Sequence, residues 1–115
     1  MEDTLAVTVG PDASRVLNTR YAIPEVQRPC RFLGVCTFNH HFNDWSDAGS
    51  AINGSVSLFD GALGPIKYRW GVGLWYPQGE SITFDSIYIR FDRGMYWSSN
   101  LTRLATGTLF TVFYS

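Results

Sequence analysis

Between Ile66 and Tyr76 every second residue is large and apolar. Ile66, Tyr68, Trp70, Val72, Leu74 and Tyr76 fall on one side of an extended chain; Lys67, Arg69, Gly71, Gly73 and Trp75 fall on the other. A period of two is that of a β-strand with one buried face, and it does not fit a helix surface, where apolar positions recur about every 3.6 residues. The same alternation, in shorter pieces, predicts strands over Thr4–Val9, Arg31–Phe38, Ser55–Phe59, Ile82–Phe91, Met95–Trp97 and Thr108–Tyr114. In Arg31–Phe38 the expected faces are Phe32, Gly34, Cys36 and Phe38 against Leu33, Val35 and Thr37. Ile82 and Phe84 run out of step with Ile87, Ile89 and Phe91, which predicts a bulge or corner near Asp85-Ser86. Gly10-Pro11, Asp60-Gly61, Gly64-Pro65, Pro77-Gln78-Gly79 and Asp92-Arg93-Gly94 supply turns. Pro24 and Pro29 make residues 21–29 an irregular or edge segment. No stretch holds a helical period, so the expected fold is all-β: a compact antiparallel β-sandwich, jelly-roll-like.

A chain of 115 residues provides for one domain. Charged residues make up 17%, below the roughly one quarter usual for soluble domains, while aromatics reach 16%. Part of the surface is therefore expected to be covered by something else. The formal net charge of −1 leaves no basic footprint for nucleic acid. No apolar run approaches the roughly 20 residues of a membrane-spanning helix, and the acidic opening Met-Glu-Asp-Thr does not read as a signal peptide. Cys30 and Cys36 are six residues apart in a segment that reads as extended, about 20 Å apart, against a limit of about 7 Å for a disulfide. Two free thiols and a reducing compartment are expected.

The last predicted strand carries apolar residues on both sides: Leu109, Thr111 and Phe113 on one, Phe110, Val112 and Tyr114 on the other. One side can face the core. The other needs a second layer or a second copy of the chain. Leu109, Phe110, Val112, Phe113 and Tyr114 are accordingly the predicted contacts between subunits.

Reactive chemistry finds little purchase. His40 and His41 are adjacent, so on a strand they diverge, whereas metal ligands must converge; no metal or cofactor is expected. No nucleophile elbow, phosphate loop or zinc-protease motif occurs. Cys36 reads as a core cysteine, and a catalytic carboxylate pair among the ten acidic residues cannot be read from spacing. The expectation is a binding module without catalysis. Trp45, Trp75 and Trp97 stand as either core aromatics or platforms for a sugar or protein partner; Trp70, in phase with the buried face, reads as core. Loops on a rigid sandwich carry binding, which singles out the polar segment 39–54 and residues 93–97. The predicted receptor contacts are His41, Asp44, Trp45, Asp47, Arg93, Tyr96 and Trp97.

The run Leu104-Ala105-Thr106-Gly107-Thr108-Leu109-Phe110-Thr111-Val112-Phe113-Tyr114 resembles the last strand of adenovirus fibre heads. Thr4 to Gly10 followed by Pro11 is similar to one fibre-shaft repeat. The resemblance covers about a quarter of the chain; residues 20–103 depart from the heads of mammalian viruses and are shorter, as would suit a divergent adenovirus. It implies a homotrimeric fibre head, residues 1–20 being the end of a shaft or a linker strand and residues 21–115 the head. It further implies a place at the capsid vertex of the virion, assembly in the host nucleus, a host-cell receptor of protein or glycan type, and attachment to the penton base through a longer fibre. Bacteriophage tail-fibre tips share this design, and a monomeric, lectin-like sandwich is the alternative of another class.

Overall fold

The computed structural model describes residues 3–10, 16, 18–39, 54–72, 80–83, 89–100 and 108–115. Among them are β1 (Leu5–Val9), β2 (Tyr21–Ala22), β3 (Cys30–Asn39), β4 (Gly54–Asp60), β5 (Ile66–Val72), β6 (Glu80–Thr83), β7 (Ile89–Phe91), β8 (Met95–Ser99) and β9 (Thr108–Tyr114), and no helix. All pairings are antiparallel. The first sheet runs β1-β9-β3-β6, with β7 also pairing β3; the second runs β2-β8-β4-β5.

Alternation along each strand sends one set of side chains into a core shared by both sheets. Val7, Val9, Phe32, Val35, Phe91, Phe110, Val112 and Tyr114 come from the first sheet; Val56, Leu58, Trp70, Met95 and Trp97 come from the second. Phe110 bridges them. Its ring stands edge-on to Trp70 at 5.2 Å and to Trp97 at 5.5 Å. From Trp70 the contacts pass to Tyr68 at 5.9 Å and on to Phe32 at 5.1 Å; from Trp97 they pass to Tyr21 at 5.5 Å. β1 supplies Val7 and Val9 to this core, so residues 5–9 and the strands beyond residue 20 are built into one unit.

Two register shifts correct the expected faces. On β3 the pairing with β9 slips between Phe32 and Gly34, so Phe32 lies opposite Tyr114 and Val35 opposite Val112. Phe32 and Val35, expected on opposite faces, are therefore both buried. On the other flank of β3, Val35 pairs Ile82 and Phe32 pairs Ile89, an odd spacing that matches the slip. Asp85-Ser86, where the phase change was expected, lies outside the described residues. On β5, Lys67 is the extra residue: Tyr68 pairs Leu58 while Ile66 pairs Phe59. Ile66 thereby leaves the buried face and is 45% exposed.

A corner between the sheets is tied by hydrogen bonds. Met95 N donates to Val26 O (2.7 Å), Ile23 N donates to Met95 O (3.0 Å), and Gln27 Nε2 donates to the carbonyls of Ile23, Val26 and Met95. Gly94 enters this corner with φ +94°, where a Cβ would sit 2.7 Å from the Val26 carbonyl oxygen. Only glycine fits that position without strain.

Because Phe110 joins both tryptophans, Phe110→Ala is expected to destabilise the fold by about 3–5 kcal/mol. Urea unfolding followed by tryptophan fluorescence checks this, and a loss below about 1 kcal/mol would contradict the bridging role.

Candidate functional site

The second sheet turns its other face outward. Val56 and Leu58 of β4 point into the core, so Ser55, Ser57 and Phe59 point out. On β8, Met95 and Trp97 point in and Ser98 out; on β5, Trp70 points in and Arg69 out. These outward residues, with Asn18, Ser99 and Asn100, line a groove of about 230 Å³. Among the described residues no His, Cys, Asp or Glu lines it. The described lining consists of hydroxyls, amides, one guanidinium and one aromatic ring.

The groove is held in shape by its own hydrogen bonds. Arg69 Nε donates to Ser57 Oγ at 3.0 Å. At one end Asn100 Oδ1 accepts from Ser55 N (2.6 Å), Asn100 N donates to Ser55 O (3.2 Å), and Asn18 N donates to Ser99 O (2.8 Å). Asn18 sits at φ 59°, a left-handed turn position that asparagine tolerates. At the other end the Arg20 guanidinium lies 3.7 Å over the Phe59 ring, and its Nη1 faces the carbonyl oxygens of Gly61, Ala62 and Gly64 at 2.8–3.1 Å. Arg20 thus clamps the β4–β5 turn against the groove wall. That turn is further closed by Asp60 N donating to Pro65 O (3.0 Å), and a side chain on Gly64 would run into the Asp60 carbonyl.

The predicted receptor contacts divide three ways. His41, Asp44, Trp45 and Asp47 lie outside the described residues, as does Trp75. Tyr96 is half-buried and pairs with Phe59, beside the groove; Arg93 is exposed in the turn before β8, its backbone N donating to the buried Asp60 Oδ1 at 2.7 Å. Trp97 is corrected: at 2% exposure it lies in the core against Phe110 and Tyr21. Its short strand, expected at a loop or an edge, is instead flanked on both sides by β2 and β4.

The predicted subunit contacts divide as well. Phe110, Val112 and Tyr114 are covered by the chain's own second sheet, with exposures of 2%, 0% and 5%, and so have no free surface for a partner. Phe113 is half-buried on the opposite face, and the side chain of Leu109 lies outside the described residues. Around Phe113 the register assembles a patch of small and hydroxyl-bearing residues, bordered beside Ser115 by the exposed pair Arg31 and Arg90. Ala6 and Gly34 flank Phe113; Thr8 and Cys36 flank Thr111. Thr8 and Thr111 share a hydrogen bond through their hydroxyls at 2.8 Å.

Sequence reasoning missed Ser55, Ser57, Phe59, Arg69, Ser98 and Asn100. The available signal was the polar half of each alternation, serine between Val56 and Leu58 and Arg69 beside Trp70.

Both cysteines are free thiols; Cys30 is buried and Cys36 half-buried. Burial pushes the Cys30 thiol up from 9.0 to about 11, partly opposed by the charge of Arg28, raised further by Asp60 and lowered by Arg90. A thiol so protonated is a poor nucleophile at neutral pH.

No family model, curated protein sequence or solved structure matches the chain.

The raised Cys30 value fixes a sign. Between pH 9 and about 11 the unfolded chain binds fewer protons than the folded one, so stability is full below pH 9 and falls as pH rises through that window. The expected loss is on the order of 2 kcal/mol. Urea midpoints at pH 8 and 10.5 should show a steeper fall for the wild type than for Cys30→Ala; parallel falls would contradict the assignment.

Proposed function

We propose that this chain is the homotrimeric head of a viral attachment fibre, a jelly-roll-like sandwich that binds a host-cell receptor without catalysis. The observation that carries the reading is the contrast between the two outer faces. The middle of the first sheet presents Ala6, Thr8, Cys36, Thr111 and a half-buried Phe113, none of them charged, with the exposed Arg31 and Arg90 paired at the end beside Ser115. The second presents a pre-shaped polar groove with a fixed cation. The uncharged patch suits burial against copies of the same chain, since covering it desolvates no charge of its own, while Arg31 and Arg90 can stay at the solvated rim. Burying about 300 Å² of it per subunit would contribute roughly 7 kcal/mol before the costs of association. The groove on the opposite side then stays open to a receptor. Low overall charge and the absence of a disulfide between Cys30 and Cys36 favour a domain that gains stability from its neighbours. A bacteriophage tail-fibre tip would use the same division of faces. The groove itself also favours a monomeric lectin-like reading, with Arg69 and Phe59 in the place expected for tryptophans.

Sedimentation equilibrium is expected to give about three times the chain mass of 12.9 kDa. Phe113→Asp is expected to yield folded monomer, because it places a charge on the association face. Val112→Asp is expected to unfold the chain, because it places one in the core. A wild-type monomer at micromolar concentration, or a Phe113→Asp variant that keeps the oligomer mass, would refute the assembly reading.

A further inference from the structure

The groove of the second sheet has an uncommon inventory. Ser55, Ser57, Ser98, Asn18 and Asn100 each carry a group that both donates and accepts, or one of each, within a single depression. Such a set matches a ligand whose own surface is mostly hydroxyl. Phe59 adds an apolar wall. Arg69 adds a cation: its Nε is held by Ser57 Oγ, and neither Nη is engaged by a described residue. A guanidinium fixed at Nε presents two parallel donors, the geometry that meets a carboxylate or sulfate. Among the described residues no carboxylate lines the groove to neutralise it. At about 230 Å³ the space falls below the roughly 300–1,000 Å³ of pockets for drug-sized ligands, which points to one small ring rather than an extended chain.

We propose that this groove binds an acidic saccharide, the sugar hydroxyls meeting Ser55, Ser57, Ser98 and Asn100 and the sugar's carboxylate or sulfate meeting Arg69. Free phosphate or sulfate would leave the hydroxyl and amide groups unmatched. A nucleic acid would need several cations in register along its backbone, and the groove lining provides one. As a receptor site the groove rests on the attachment reading; as a sugar site it rests on its own side chains.

The test is titration of isotope-labelled protein with sialyllactose, lactose 3′-sulfate, lactose and inorganic sulfate, read as backbone amide shifts. One or both acidic sugars are expected to move Ser55, Ser57, Arg69, Ser98 and Asn100, and which of the two does so identifies the anion. Lactose is expected to move none of them at the same concentration, and inorganic sulfate to bind more weakly than the sugars. Arg69→Gln is expected to weaken the acidic sugar about tenfold or more. Ser57→Ala, which removes the Nε anchor and one hydroxyl contact but keeps the cation, is expected to weaken it less; the amide spectrum reports whether each variant is folded. Silence with both acidic sugars, equal shifts from lactose, sulfate binding as tightly as the sugars, or undiminished affinity in folded Arg69→Gln would each overturn the proposal. A trimer that ignores the sugars removes the groove assignment and leaves assembly standing. A monomer that binds them does the reverse.

Discussion

The ring of Phe110, edge-on to Trp70 and Trp97, joins the two sheets into one core at two points, and Phe32 against Tyr68 joins them at a third. It comes from β9, the middle of the first sheet, and reaches two different strands of the second. Edge-to-face pairs contribute about 0.5–1.5 kcal/mol each beyond the area they bury. More importantly, they fix distance and tilt. The tryptophans in turn hold Tyr68 and Tyr21, and Tyr68 holds Phe32, so aromatic contact runs unbroken across the interior. β9 is thus the strand on which both sheets depend, and the apolar character of both its faces has two separate causes. Phe110, Val112 and Tyr114 satisfy the core; Phe113 remains on the outside.

That division explains what could be read from the sequence and what could not. Period-two alternation locates strands directly, because it reflects burial of one face, and the strands around Trp70, Val56 and Val112 were legible for that reason. The bulges at Leu33 and Lys67 were not, because the apolar alternation runs through both positions without a change of phase and the slip shows only in the pairing with the partner strand. Their effect is to bring Phe32 and Val35 to the same side and to move Ile66 out. Trp97 misled through its neighbours, since a short strand beside a glycine turn looks like a loop until its central place between β2 and β4 is known. The groove was illegible as a site because its residues come from three strands and a preceding turn, far apart in sequence. Each of them, alone, is an ordinary outward polar residue.

The charge distribution follows the same logic. With 17% charged residues the chain has few to place. Arg20 and Arg69 are both spent on the outer side of the second sheet, each anchored: Arg20 by carbonyl oxygens and the Phe59 ring, Arg69 by Ser57. On the outer side of the first sheet the described charges, Arg31 and Arg90, gather at one end beside Ser115, and the patch of Ala6, Thr8, Cys36, Thr111 and Phe113 carries none. Keeping that patch uncharged lowers the desolvation cost of covering it, and gathering anchored cations on the other sheet raises the local potential for an anion.

Core and groove are also mechanically one object. β4, β5 and β8 each send alternate residues to the two sides, so Ser57 sits between Val56 and Leu58, Arg69 between Tyr68 and Trp70, and Ser98 beside Trp97. Any displacement of a groove residue along its strand must drag a core side chain through a close-packed interior, which resists it. A ligand bound as proposed would therefore meet a groove that needs little ordering, with little of the binding energy consumed in arranging the site. The aromatic bridge at Phe110, on the far side of the sheet, is in this sense what keeps Arg69 aimed.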